Sequence, residues 1–173
     1  MAKAVERLTD LRVDWEPLPD ALTRITGFML YWVTGSAGQF YAQAVATVGL
    51  EPQQVATLQL LTMEGPMVQA RLAERLRINK ATMVGILNGL EAQSLVERRS
   101  YRGDKRALEV HPTQAGREKA EEVEQVNREA DLIFFAPLSD EERKTFHALL
   151  SKLATSQPSP RATHGDRDAD AGA

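Results

Sequence analysis

"VERRSYRGDKRALEVHPTQAG", residues 96–116, is the stretch whose reading decides the fold. It interrupts a chain whose apolar residues otherwise recur at helical spacing. "LVERR" and "RALEV" read instead as strands flanking a charged tip with Gly103, which makes the segment a β-hairpin. It is also crowded with arginine, although the formal net charge of the protein is −3.

Two short helical patterns precede it. "VQARLAERL" puts Leu72, Ala73 and Leu76 on one face, and "KATMVGILNGLEAQ" does the same for Met83, Ile86/Leu87 and Leu90. Only "RIN" separates them, with Ile78 as a buried plug and Asn79 as an N-cap for the second helix. Two short helices joined this tightly form a helix-turn-helix. Helix, helix and hairpin in that order predict a mainly α chain built on a winged helix-turn-helix with a two-strand wing.

Working outward, "PQQVATLQLLTME" from Pro52 reads as a helix with Val55, Leu58 and Leu60/Leu61 inward, ended by Gly65–Pro66. A long helical stretch runs from Ala21 to about Val48, with Asp20 as its cap, a bend or break near "TGSAG" and Gly49 as a left-handed end. Pro17 and Pro19 separate it from a short amphipathic helix carrying Val5, Leu8, Leu11 and Arg12. Downstream, Thr113 caps a helix reaching about Phe135, and Ser139–Glu142 is a capping box opening a last helix. The domain plan is an N-terminal extension over 1–19, a folded domain over 20–154 and a tail over 155–173 with almost no large apolar residue, predicted disordered. Within the domain the winged helix occupies about 52–112, flanked by helices over about 20–48 and 113–154.

Charge is unevenly divided. Residues 71–106 carry nine Lys/Arg against four acids, and the remainder is net −8. One face suited to a polyanion and a body that is not follows from this division. The second helix of a helix-turn-helix enters the major groove with its N-terminal residues nearest the bases. With its apolar side in the core, it shows Asn79, Lys80, Ala81, Thr82, Val84, Gly85 and Asn88. Lys80 reaches a phosphate or a guanine edge, and Asn88 has the chemistry to pair with adenine. The wing supplies Arg98, Arg99, Arg102, Lys105 and Arg106 for a narrow minor groove or its phosphates. Asp104 is expected to pair with Arg106 or a neighbour and hold the fork.

Other chemistries find little support. There is no cysteine, which excludes disulfides and thiolate metal sites. His111, His147 and His164 are scattered without metal-ligand spacing. No nucleophile–base pair, phosphate loop or paired-carboxylate site stands out, so neither an enzyme nor a cofactor is expected. No apolar run spans a membrane and no signal peptide opens the chain, which places it in the cytoplasm.

Residues 68–116 resemble the core of the MarR (multiple antibiotic resistance regulator) family. Leu72-Ala73-Glu74-Arg75-Leu76, Leu90-Glu91 and Leu95-Val96-Glu97-Arg98 match in order and spacing. Asp104-Lys105-Arg106, with Thr113 and Gly116 downstream, matches the family's wing signature. The likeness extends over about residues 20–154. Departures are Pro112 where a leucine usually stands, Arg77 where the turn often has glycine, and Gly85 and Gly89 where arginine is common on the recognition helix.

The resemblance implies a sequence-specific transcriptional regulator, commonly a repressor, that binds double-stranded DNA at a palindromic operator as a homodimer. It implies dimerisation through the first and last two helices, where Phe134, Phe135, Leu138, Phe146 and Leu150 are the candidate interface; an intramolecular core is the alternative. It also implies release by a small aromatic or phenolic effector. Phe28, Tyr31 and Trp32 fall at i, i+3 and i+4, with Arg24 one turn earlier to meet a carboxylate. The plainer reading of the same stripe is an aromatic core or interface. The rival function is a winged helix used as a protein–protein module, against which the basic wing tip argues.

Overall fold

The structure, a computed structural model, describes Leu8 and residues 17–156. The rest of the expected N-terminal helix, Trp15, His164 and the tail beyond residue 156 lie outside the described residues. So do the side chains of Asp104, Lys105 and Arg106, and with them the expected Asp104–Arg106 pair. The chain divides into two compact units, residues 1–134 and 135–173.

The first unit holds helices α1 (Thr26–Ala46), α2 (Pro52–Glu64), α3 (Gln69–Arg75), α4 (Lys80–Ala92) and α5 (Gln114–Phe134). Its strands are β1 (Met67–Val68), β2 (Val96–Tyr101) and β3 (Asp104–Pro112), arranged antiparallel in the order β1-β3-β2. This is a winged helix. The wing is the β2–β3 hairpin, with Arg98 opposite Val110 and a bulge between Ser100 and Tyr101. The strand β1 pairs Met67 with Val110 and ties the entry of the helix-turn-helix to the wing root. Two residues carry no period of their own, so the sequence reading ends its helix at Gly65–Pro66 without finding β1.

Helix α2 is fixed at both ends by local chemistry. The Glu51 N–H donates to Gln54 Oε1 at 3.0 Å, the Glu51 side chain accepts from the backbone of Gln54, and Pro52 pre-sets the first turn. Gly65, at φ 89°, closes it in a conformation that a side chain resists. Val55, Leu58 and Leu61 then join Leu72, Met83, Leu87, Leu90, Val96 and Val110 in one core.

The start of α1 differs from expectation. Asp20 does not cap it. Asp20–Leu22 form a 3-10 turn, in which the Asp20 carbonyl accepts from both the Thr23 N–H and hydroxyl. Extended Ile25 then separates this turn from the helix. Nor does the chain break near "TGSAG", where a bend or break was expected. The helix runs through Gly35 and Gly38, and the Ser36 hydroxyl donates back to the Trp32 carbonyl at 3.2 Å. Gly49 does take the left-handed conformation after the helix, at φ 76°.

The α3–α4 turn contains a strained residue. Arg77 has φ 54°, a region where a Cβ is disfavoured, while the Ile78 N–H donates to the Ala73 carbonyl at 2.8 Å. Asn79 then caps α4 by accepting from the Thr82 N–H at 2.8 Å. Arg77→Gly is expected to raise stability by about 1 kcal/mol. A thermal melt with a midpoint at or below that of the unsubstituted chain would show that Arg77 makes compensating contacts.

Helix α5 is docked by its first turn. Thr113 Oγ1 accepts from the Gly116 N–H at 3.0 Å and donates to the Ser94 carbonyl at 2.7 Å. The buried face is built of small residues, Gly116, Ala120, Val123, Val126 and Ala130. This explains why the sequence pattern there looks weakly apolar. Ala130 and Val126 meet Phe40, Ala44 and Leu8 in a second cluster. Tyr41 donates to Asp131; burial first, and then that hydrogen bond, pushes the phenol well above its ordinary range.

The second unit is described by itself. Helix α6 spans Asp140–Ser156 and opens on the expected capping box. Ser139 donates to Glu142 Oε2 from both its N–H and its hydroxyl, each at 2.8 Å. Arg143 Nε donates to the carbonyls of Phe135 and Leu138. The backbone bond from Ser139, and then its hydroxyl, holds the Glu142 carboxyl below the usual carboxylate range. A lowered folded value contributes stability above the ordinary carboxylate range and loses it as pH falls toward the depressed value. Acid titration is therefore expected to fray the start of α6 in Glu142-containing protein. The pH dependence of that fraying should vanish in Glu142→Gln, as amide exchange of residues 140–143 would read.

Candidate nucleic-acid interface

Helix α4 turns Met83, Ile86, Leu87 and Leu90 into the core. The other side presents Asn79, Lys80, Ala81, Val84, Gly85 and Asn88, all exposed, with Thr82 half-buried. The periodicity alone dictates this split. Gly85 has open space around it, whereas a Cβ on Gly89 would meet Gln54 Nε2 at 2.6 Å. Gly89 therefore lets the capping glutamine of α2 lie against the recognition helix.

In the wing, Arg102 is exposed next to the turn, and Arg99 is exposed but paired with Glu97. Arg98 is not at the exposed tip with them. Its side chain is only 16% exposed and runs back onto α4. Nη1 donates to Glu91 Oε2 at 2.9 Å, and Nη2 donates to Asn88 Oδ1 at 2.8 Å and to the Val84 carbonyl at 3.3 Å. The Arg98 N–H also donates to Glu91 Oε1, at 3.2 Å. Asn88, expected as a base reader, thus has its carboxamide oxygen engaged by Arg98. Glu91 is not legible as a partner in the sequence, because a glutamate at the end of one helix and an arginine in the next strand show no periodic relation.

The aromatic stripe on α1 is a self-contacting cluster. Phe28 lies 6.1 Å from Tyr31 and 6.4 Å from Trp32, centroid to centroid. Tyr31 is 72% exposed and Arg24 is exposed too. A cavity of about 360 Å³ lies elsewhere, against Val68, Ala73, Lys80, Met83 and Leu108. Of the candidate interface residues, Phe134 packs within its own unit, 5.7 Å from Phe40 and 5.6 Å from Tyr41. Phe135 and Phe146 contact each other at 5.8 Å, and Leu138 is half-buried. Leu150 is exposed, as are Leu149 and Leu153.

His111 Nε2 pairs with Glu109 at 2.7 Å across a strand face, and His147 is exposed. Among the described residues no group of His, Cys, Asp and Glu is placed to hold a metal ion. Nor is any helix long and apolar enough to cross a membrane.

Comparison with known proteins agrees with this geometry. Residues 48–107 match the family model for the MarR family. A putative transcriptional regulatory protein for the hcr operon of Thauera aromatica is 30% identical over 115 residues, covering 66% of this chain and 69% of the relative. The chain belongs to the MarR family. Solved structures of similar proteins share the fold of this MarR-family chain. A probable transcriptional regulator from Pseudomonas aeruginosa aligns with a TM-score of 0.65 at 32% identity, over 76% of this chain and 98% of that one. The Mycobacterium tuberculosis MarR family protein Rv2887, solved in complex with DNA, aligns at 0.65 and 26% identity, over 74% and 96%. The same relative is named an HTH-type transcriptional repressor. In this MarR-family chain the side chain of Gln54 occupies the space that a Cβ at position 89 would need.

Proposed function

We propose that this regulator is a sequence-specific DNA-binding repressor that occupies a palindromic operator as a homodimer. The observation that carries the reading is the exposed outer face of α4 beside an arginine-bearing wing, on a chain whose relatives include one solved with DNA. Lys80, Ala81, Thr82, Val84 and Gly85 form the face offered to the major groove, with Asn79 and Asn88 at its margins. Arg99, Arg102, Lys105 and Arg106 serve phosphates or the minor groove, with Asp104 among them. A dimer blocking a promoter represses, which agrees with the name of the mycobacterial relative.

Dimerisation is assigned to the flanking helices, over about 20–48 and 113–154. Exposed Ile25 just before α1, Leu30 and Val33 of α1, and Leu149, Leu150 and Leu153 of α6 are apolar surface suited to a partner copy, joined by Phe135, Leu138 and Phe146. The working compartment is the cytoplasm. Genomic fragments retained by the purified protein test the reading. Enrichment of a few promoter fragments is expected, whereas uniform retention of all DNA, or of none, would favour a protein–protein module.

The rings of Phe28, Tyr31 and Trp32 suit an aromatic acid, and Arg24, which lies in the exposed turn before α1 instead of one helical turn earlier, is the candidate guanidinium for its carboxylate. A panel of phenolic and aromatic acids is expected to include compounds that raise the melting temperature at millimolar concentration. The shift should disappear in Arg24→Ala. No shift with any compound would rule the effector out.

A further inference from the structure

We propose that Arg98, Glu91 and Asn88 form a clamp that fixes the wing to the recognition helix, making Arg98 and Asn88 positioning residues instead of DNA contacts. The proposal rests on the DNA-binding reading above and deepens it. Val84, Asn88 and Glu91 stand at i, i+4 and i+7 of α4 and so form one stripe. One guanidinium from β2 spans that stripe and takes an acceptor from each of the three. Glu91 grips the same residue a second time through the Arg98 N–H. The strand is therefore held at both its backbone and its side chain.

The inward pose also has a cost. Arg98 Nε is buried with no hydrogen-bond partner, a penalty that an outward, solvated rotamer would avoid. Three charge-assisted or carbonyl contacts offset it. Adenine readout by asparagine needs the carboxamide oxygen to accept while the NH2 donates. In Asn88 that oxygen already accepts from Arg98. A rigid angle between helix and wing sets which phosphates the wing reaches once α4 is seated in the groove. That angle decides how many ionic contacts form at once.

Charge provides a test of opposite sign. Glu91→Ala removes a negative charge, so electrostatics alone predicts tighter DNA binding. The clamp predicts a Kd raised about tenfold or more on the duplex that the unsubstituted protein selects. It also predicts a shallower dependence of log K on log salt, by about 0.9 for each phosphate that the wing no longer reaches. Arg98→Lys keeps the charge but not the fork, and should weaken binding in the same way. Asn88→Ala should weaken binding evenly across single base-pair changes in the site. In the free protein, amide exchange of residues 97–101 should accelerate in Glu91→Ala while the global melt persists. Unchanged or tighter binding by folded Glu91→Ala or Arg98→Lys would overturn the clamp, as would loss of discrimination at a single A·T pair in Asn88→Ala. Wing exchange decides the matter without DNA: acceleration supports the clamp and unchanged exchange overturns it. Failure of the unsubstituted protein to prefer any duplex would instead count against the regulator reading.

Discussion

Gly116→Ala is expected to lower the stability of the protein by about 3 kcal/mol, reducing the melting temperature by roughly 6–12 °C. A Cβ at this position would stand 2.0 Å from the Leu95 carbonyl oxygen and 3.3 Å from Leu58 Cδ1. The clash is with backbone, which has no rotamer to yield. The Thr113 N–H donates to the same Leu95 carbonyl at 3.1 Å, so α5 cannot shift away without breaking that bond. Gly85→Ala is the matched comparison. Nothing lies within 4 Å of its Cβ, and the gain in helix propensity should raise stability by about 1 kcal/mol. Thermal melts of the two variants should therefore move in opposite directions. A Gly116→Ala variant as stable as the unsubstituted chain would mean that the α5–β2 junction is looser than these distances imply.

The second large effect concerns the wing. Arg102→Ala combined with Arg106→Ala is expected to raise the Kd for the operator by at least about tenfold at moderate salt. Each phosphate left without its arginine should reduce the salt slope by about 0.9, and a dimer carries two wings. Replacing Arg102 should leave the fold untouched, since it is exposed and sits at the hairpin turn. The weakening should be uniform across sequences if the wing meets phosphates, and confined to A·T-rich flanks if it enters the minor groove. Anisotropy titrations at several salt concentrations would read both. An unchanged slope would take the wing out of the interface.

Much of this architecture was legible because the signals are local. Glu51–Pro52 and Gly65–Pro66 bracket α2, Asn79 marks the start of α4, and Thr113 and Ser139 carry cap chemistry in their own side chains. Alternation in "LVERR" and "RALEV" declares the hairpin. What the sequence concealed is tertiary. Asp20 has the chemistry of a cap, but the next residues close a separate turn around its carbonyl. An arginine looks alike whether it faces solvent or, as Arg98 does, lies along a helix. Phe134 carries the same apolar signal for a partner copy as for Phe40 and Tyr41 of its own chain. Gly116 stands out in the wing signature, but its reason, the nearness of the Leu95 carbonyl, comes from packing between elements.

The central claim is that the outer face of α4 and the wing together read duplex DNA. Selection of random duplexes by the full-length protein at about 0.1 M salt tests it most directly. The expected result is enrichment of an inverted repeat with half-sites about 10 bp apart, bound by two chains. Affinity for that repeat should fall steeply with salt. Recovery of duplexes with no shared motif, retained no better than random sequence, would contradict the claim.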